Sequence, residues 1–367
     1  MLKLTLALAF GLSCLPLPAA ENLAAGKPVA LCPLPNEPTC TAGGTDLQDL
    51  TDGRLTQRAD QCMWFETLAV GWSLVPVANV QIDLGAVRAI GEVALRFLGG
   101  SPQSGIEFPG FVKLLVSDDA DAWYQVAEYS KWRPGDPERF GIPASAGKAW
   151  VHPLRFADLK TRGRYVGIAL GGTGLVCSDE FYVYAGDHDP AAAAFTPEQA
   201  ADFSVSRPQV AFVKPRLTLT SNLATPQPLV LLDGSGEKRP VTLHLEAPPG
   251  VQLLSGQVGD TAVTPSAAVN AAETTAQGTR YTVSLQTPGK SAFPWGKLWL
   301  RAELPPGTET SLRCRLEWNG GQSQALTVPA TVIEIPPAPQ CRRLMMALGW
   351  WPMADTAAWP GDGLAAA

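Results

Sequence analysis

This chain of 367 residues has few of the residues and spacings that carry catalysis. Its three histidines, His152, His188 and His244, are scattered and form no HExxH, which leaves a zinc hydrolase unsupported. No GxSxG is present. GSGEK, Gly234 to Lys238, lacks the spacing of a phosphate-binding loop, and a hairpin turn explains its glycines. No cysteine pair has the CxxC spacing of a zinc or redox motif. Charged residues make up only 17% of the chain and form no Lys/Arg cluster, which excludes a phosphate-rich partner such as DNA, RNA or anionic lipid. Beyond the first twenty residues no run is apolar enough to cross a bilayer, and no run with helical period lasts three turns. Asp179 and Glu180 are adjacent carboxylates, but in a strand neighbours point to opposite faces, so they are not expected to cooperate as a glycosidase pair.

Apolar residues, turn formers and cysteines are what the chain does have. Apolar residues make up 46%, and 33 prolines and 35 glycines favour turn-rich β architecture. Residues 1–20, MLKLTLALAFGLSCLPLPAA, read as a secretory signal peptide cut before Glu21, which implies a secreted, periplasmic or cell-surface protein. The leader takes Lys3 with it, so 27 basic residues face 34 acidic ones, a formal charge of −7. It also takes Cys14, leaving six of the seven cysteines. An even number in an exported chain suggests disulfides. The expectation is that Cys177 pairs back to Cys32, Cys40 or Cys62; spacing does not say which.

From residue 21 to 186, short β-type runs such as VANVQIDLG, FVKLLVSDD and EFYVYAG alternate with turns, as in an antiparallel sandwich or barrel. Residues 187–202 read as a linker with at most one helical turn. A second β region, 203–335, reads as an immunoglobulin-like sandwich in which AAVNAAETTAQGT is a loop or weak edge. PPAP opens the last segment, 336–367, as a stiff spacer. Within it LMMALGW suggests a buried strand and GDGLAAA the first turn of a helix, so the chain is expected to be a truncated piece of something longer.

Six pieces in order give the first region a family likeness: NLAAGKPV, DLTDGRLT with Trp64 after it, VQIDLGAVRAIGEVAL, VSDDADAWYQV, GRYVGIAL and DEFYVYAG. Together they resemble the discoidin or coagulation-factor type C family, a galactose-binding-like jelly-roll β-sandwich. That resemblance implies a non-catalytic binding module, often for sugars. The C-terminal piece resembles the first strand of a (β/α) barrel of the kind found in glycoside hydrolases, with Trp350 and Trp351 at its substrate end. The expected function is therefore to bind poly- or oligosaccharide and deliver a glycoside hydrolase to it. The alternative is adhesion to a protein at the cell surface without catalysis. No catalytic residue is assigned.

Two acidic stretches bear on metal. Asp118, Asp119 and Asp121 begin like a calcium loop, but counted from Asp119 the fifth position is Trp123 and the sixth Tyr124, where a ligand and a glycine are needed. They are expected to cap a turn between strands, with Trp123 covering the core. In DLTDGRLT the Asp52 carboxylate, the Thr56 hydroxyl and the Leu50 carbonyl can converge on calcium, and the resemblance implies that Glu180 completes the set. For sugar, the resemblance implies a site among loops at one end of the sandwich. Aromatic faces take pyranose C–H groups there, and polar side chains take hydroxyls. Trp64, Phe65, Glu107, Phe108, Trp132 and Arg133 are the candidates, whereas Trp72 and Trp123 are expected in the core. Leu175 departs from the pattern, since such modules often carry an aromatic residue before the closing strand.

Overall fold

The computed structural model describes residues 21–334 apart from 59–62, 102–103, 143–147, 173, 215, 222, 236, 259–260, 264–268, 276–277, 290–294 and 324. The expected barrel start, Trp350, Trp351, Cys62 and Cys341 lie outside the described residues. Among the described residues no helix is long and apolar enough to cross a membrane.

The chain is all-β. Its first sheet has nine strands: β1 (Val29–Cys32), β2 (Val70–Ser73), β3 (Ala78–Gly99), β4 (Phe111–Ser117), β5 (Trp123–Ser130), β6 (Trp150–Phe156), β7 (Thr161–Gly171), β8 (Leu175–Ala185) and β9 (Ala200–Ala201). Two four-residue helices, α1 (Pro38–Thr41) and α2 (Asp46–Asp49), interrupt it between β1 and β2. The order β2-β8-β3-β7-β4-β5-β9, with β1 and β6 also on β3, turns on one long strand. Between Asp83 and Arg88 the register of β3 against β7 shifts, so its first half pairs with β1 and β7 and its second with β6 and β8. The sheet therefore curls into two layers that close on a core including Val80, Ile82, Leu95, Phe97, Ile168 and Phe181. Alternation in β3 explains the inward set: Val80, Ile82 and Leu84 are buried, while Gln81 and Asp83 between them are half-exposed.

The second region is a two-sheet sandwich. Its strands are β10 (Gln209–Phe212), β11 (Leu217–Thr220), β12 (Ala224–Leu232), β13 (Pro240–Ala247), β14 (Val251–Val258), β15 (Thr261–Val263), β16 (Val269–Thr275), β17 (Gly278–Gln286), β18 (Trp295–Ala302), β19 (Glu309–Trp318), β20 (Gly321–Gln322) and β21 (Leu326–Ile333). One sheet runs β10-β12-β18-β14-β15, the other β11-β21-β19-β13-β17-β16. AAVNAAETTAQGT supplies the edge strand β16. The GSGEK stretch corrects one expectation. It connects β12 of the β10-β12-β18-β14-β15 sheet to β13 of the other, so it is a crossing between layers and not a hairpin.

The stretch between the regions is docked, not free. Ala200 and Ala201 pair with Tyr124 and Trp123, adding β9 to the first sheet, and Phe195 stacks on Tyr124 at 4.3 Å. Trp123 is buried as expected but not in the first core. Its ring lies 4.5 Å from Phe203, in a separate cluster with Leu115 on the outer face of that sheet. A further cluster joins Cys32 and Val77 of the first region to Val230 and Leu232 of the second.

Candidate functional site

Three backbone hydrogen bonds set the loop end of the first sandwich. Gly110 N–H donates to the Gly171 carbonyl at 2.6 Å, Lys131 N–H to the Gly110 carbonyl at 2.8 Å, and Leu175 N–H to the Gly105 carbonyl at 2.8 Å. The segments after β3, β5 and β7 are thus stitched side by side. Trp132 lies on this platform with half its surface, 49%, open to solvent. Its ring is seated against Gly110: a Cβ there would come 2.8 Å from Cη2 of Trp132 and push the ring outward. Lys131 Nζ is 5.4 Å from the ring centroid and 2.8 Å from Glu107 Oε2, which places a charge pair beside the aromatic face. Arg133 is held by Glu128 and, at 3.5 Å, by Asp136.

The remaining candidates separate. Trp64 and Phe65 form their own pair, ring centroids 4.1 Å apart, with Phe65 52% exposed and Trp64 half-buried. They flank the same loop as Trp132 from the other side. Ile106 turns into the cluster that Trp64 packs against, and Glu107, the next residue, turns to Lys131. Phe108 is corrected: it is 8% exposed, with its ring edge-on to Trp150 at 5.3 Å, and so offers no face to a ligand. Lys131 was not among the expected residues, although its place beside Trp132 in KWR was visible. Leu175 is buried and supplies no aromatic platform.

The carboxylates near β8 form a second constellation, and a bulge explains it. Arg96 pairs with Glu180 and Phe97 with Ser178, so Asp179 is an extra residue in the ladder. Strict alternation fails at this point. Both neighbours reach the same loop: Asp179 accepts from Thr56 N–H at 3.2 Å and the Thr56 hydroxyl at 2.9 Å, and Glu180 Oε2 accepts from Gly53 N–H at 3.0 Å. Arg96 also clamps Asp179 through Nε at 2.8 Å and Nη2 at 3.1 Å. Both acids are fully buried, which excludes substrate access to either.

Glu180 differs from Asp179 in that, among the described residues, no cation bonds it, although the Arg96 charge pulls its pKa down. Its Oε1 is buried without a hydrogen-bond partner. Burial first, then the charges of Asp52 and Asp179, push its carboxyl up to about 7, against the pull of the Gly53 amide. Asp49 and Asp46 stand in the same acidic string. Burial raises both, and Asp46 Oδ1 is also without a partner. These two were missed in the sequence, yet the signal was there: Asp46 and Asp49 stand three apart, on one side of a helical turn, just before Asp52. The orphaned oxygen and the oxygen-only donor set fit a hard cation. Among the described residues no three His, Cys, Asp or Glu side chains gather into a metal site by themselves. A calcium ion here would draw on the Asp52 and Glu180 carboxylates, the Thr56 hydroxyl and the Leu50 carbonyl, which now accepts from Phe181 N–H at 2.7 Å and keeps a second lone pair.

The stretch DDADAW caps a turn. Asp119 Oδ1 accepts from Asp121 N–H at 2.8 Å and Ala122 N–H at 2.9 Å, and these bonds hold its carboxyl below the usual range. Asp118 pairs with Arg162, and Asp121 with Arg207 of the second region. A hollow of about 660 Å³ lies elsewhere, among Glu92, Arg155, Lys160, Tyr184 and His188, and none of the expected sugar residues lines it.

No family model and no curated protein matches the chain. Solved structures do. A chitosan-binding module 1 mutant from a chitosanase/glucanase of Paenibacillus sp. IK-5 is 14% identical with a TM-score of 0.30, over 46% of this chain and all of that one. A Streptococcus pneumoniae fucose binding module is 11% identical with a TM-score of 0.29, over 46% of this chain and 98% of that one. The lectin domain of lectinolysin, solved with Lewis B antigen, is 17% identical with a TM-score of 0.29, over 45% of this chain and 97% of that one. At such identities and scores the likeness says nothing of this chain's ligand.

Proposed function

We propose that the first sandwich is a carbohydrate-binding module of an exported protein, that it binds poly- or oligosaccharide through Trp132, and that calcium in the Asp52–Thr56 loop steadies it. The observation that carries this reading is the exposed Trp132 ring, seated against Gly110 with the Lys131–Glu107 pair beside it. An indole face takes the apolar C–H side of a pyranose, and charged groups at its rim take hydroxyls. The region is non-catalytic, and the proposal extends to its delivering a glycoside hydrolase joined beyond residue 335. The test is calorimetric titration of the protein with galactose-type and uronic-acid oligosaccharides and a wider glycan panel, in calcium and in chelator. Trp132→Ala should weaken binding at least roughly tenfold, equivalent to ~1.4 kcal/mol, while Tm stays within about 1 °C because the ring is half in water. A folded protein that takes up no glycan, or a variant that binds unchanged, overturns the reading and leaves protein adhesion in its place.

A further inference from the structure

Two buried thiols of the first sandwich have no part in the carbohydrate reading. Cys40 of α1 and Cys177 of β8 share one small cluster with Met63, Leu98 and Leu175, and their Sγ atoms lie 4.0 Å apart. In sequence they are 137 positions apart. Cys32 sits in the cluster with Val77 and Val230, and Cys314 in the core of the second sandwich, so neither shares that cluster.

How α1 is held makes the pair more than a chance approach. A four-residue helix has no stability of its own, and α1 lacks a side-chain cap and buries only Cys40. It docks on Gly71, whose carbonyl accepts from Asn36 N–H at 3.0 Å and Glu37 N–H at 3.1 Å. Gly71 is the residue directly across from Cys177 in the β2–β8 ladder. A Cβ on it would meet Glu37 Cβ at 2.7 Å and Cys40 Sγ at 3.1 Å. The sheet therefore carries no side chain at the one cross-strand position where Cys40 must approach Cys177.

We propose that Cys40 and Cys177 are joined by a disulfide in the mature protein, tethering α1 to the start of β8. Each thiol gives up its proton and the S–S bond forms. The two electrons and two protons pass to an external disulfide, oxidised glutathione or an oxidoreductase, whose own S–S bond opens to two thiols. Closing the gap from 4.0 Å to about 2 Å takes side-chain rotation and a small shift of α1, an element held otherwise by backbone bonds to one glycine. With both thiols free, the hydrogen bond that Cys177 donates to Cys40, burial, and the charges of Asp179 and Glu37 hold Cys177 protonated. Oxidation therefore belongs to folding, before α1 covers the pair. The tether bears on the sugar reading only through the Trp64 carbonyl, which the Cys40 thiol meets at 3.2 Å, and its test does not depend on that reading.

The full chain folded in a glutathione redox buffer, trapped with N-ethylmaleimide and digested without reduction, should yield a Cys40–Cys177 linked peptide two hydrogens lighter than the pair. Reduction should lower Tm by roughly 10 °C, the scale expected for closing so long a loop. Recovery of both cysteines as maleimide adducts, or of either one linked to Cys32 or Cys62, overturns the proposal. Cys40→Ala, Cys177→Ala and the double variant give a second readout. Equal Tm losses in all three support one bond, and losses that add in the double variant refute it.

Discussion

Glu180 is a buried carboxyl whose only cationic help is the nearby Arg96 charge, outweighed by burial and by Asp52 and Asp179, and its behaviour with pH follows. Its ordinary pKa is 4.5 and the fold raises it to about 7, chiefly through burial, so the native state holds the proton more tightly than the unfolded chain does. Stability contributed by the protonated form is full below pH 4.5 and is lost as pH rises through 7, by up to roughly 3 kcal/mol. In chelator, then, the wild type should lose Tm between pH 5 and 8, and Glu180→Gln, which cannot ionise, should lose markedly less. Calcium should cancel the wild-type loss, because the ion favours the charged carboxylate, and should do little for the variant. Thermal scans at both pH values check it; a wild type as flat as the variant in chelator would remove Glu180 from the site.

At the scale of elements, the Asp179 bulge is what fastens the Asp52–Thr56 loop to β8. Asp179→Ala removes both bonds to Thr56 and leaves the Arg96 guanidinium, itself largely covered, without a counter-charge. The expected loss is about 3–5 kcal/mol, with faster amide exchange at Gly53 to Thr56, read by hydrogen exchange and denaturant melts. Equal protection in the variant would show that the loop stands without the bulge. The strands around it were legible, because alternation in stretches such as VANVQIDLG and the turns that end them are local properties of the chain. The bulge was not, because one extra residue is defined only by the partner strand, and Phe97 and Ser178 are far apart in sequence. The same limit applies at the sugar end. Trp132 and Phe108 read alike as loop aromatics, and what separates them is the distant company each keeps: Gly110 leaves one ring outside, and Trp150 covers the other. α2 shows the opposite case, since the three-residue spacing of Asp46 and Asp49 was present in DLQD and needed only to be read as a helical turn.

The joint between the sandwiches decides how the whole molecule behaves. Composition marks residues 187–202 as a linker, but Phe195 and Phe203 are large apolar residues within or beside a small, polar stretch, and both are seated on the first sheet. Asn79 is buried on β3 and spends both amide hydrogens across the joint, on the Ser204 carbonyl at 2.9 Å and the Gln209 side chain at 2.8 Å. On the second region's side of the joint, Arg239 bonds Asp233 and reaches the Ser206 carbonyl at 3.2 Å, which ties the start of that region to its own β12–β13 connection. Burial works to raise the Asp233 carboxyl, but the Arg239 and Ser235 bonds prevail and hold it below its ordinary range. Ring packing and paired buried polar groups are the means by which two domains come to unfold together. Calorimetry of the wild type should therefore show one transition for both sandwiches. Asn79→Leu leaves the Ser204 carbonyl and the Gln209 amide buried without partners, at about 1–3 kcal/mol each. Phe203→Ala empties the space over Trp123, at about 3–5 kcal/mol. Either change should split the transition in two while leaving the secondary structure of each sandwich intact by circular dichroism. Two transitions already present in the wild type would mean that the sandwiches fold independently. A sugar held at Trp132 would then have no fixed direction relative to whatever follows residue 335.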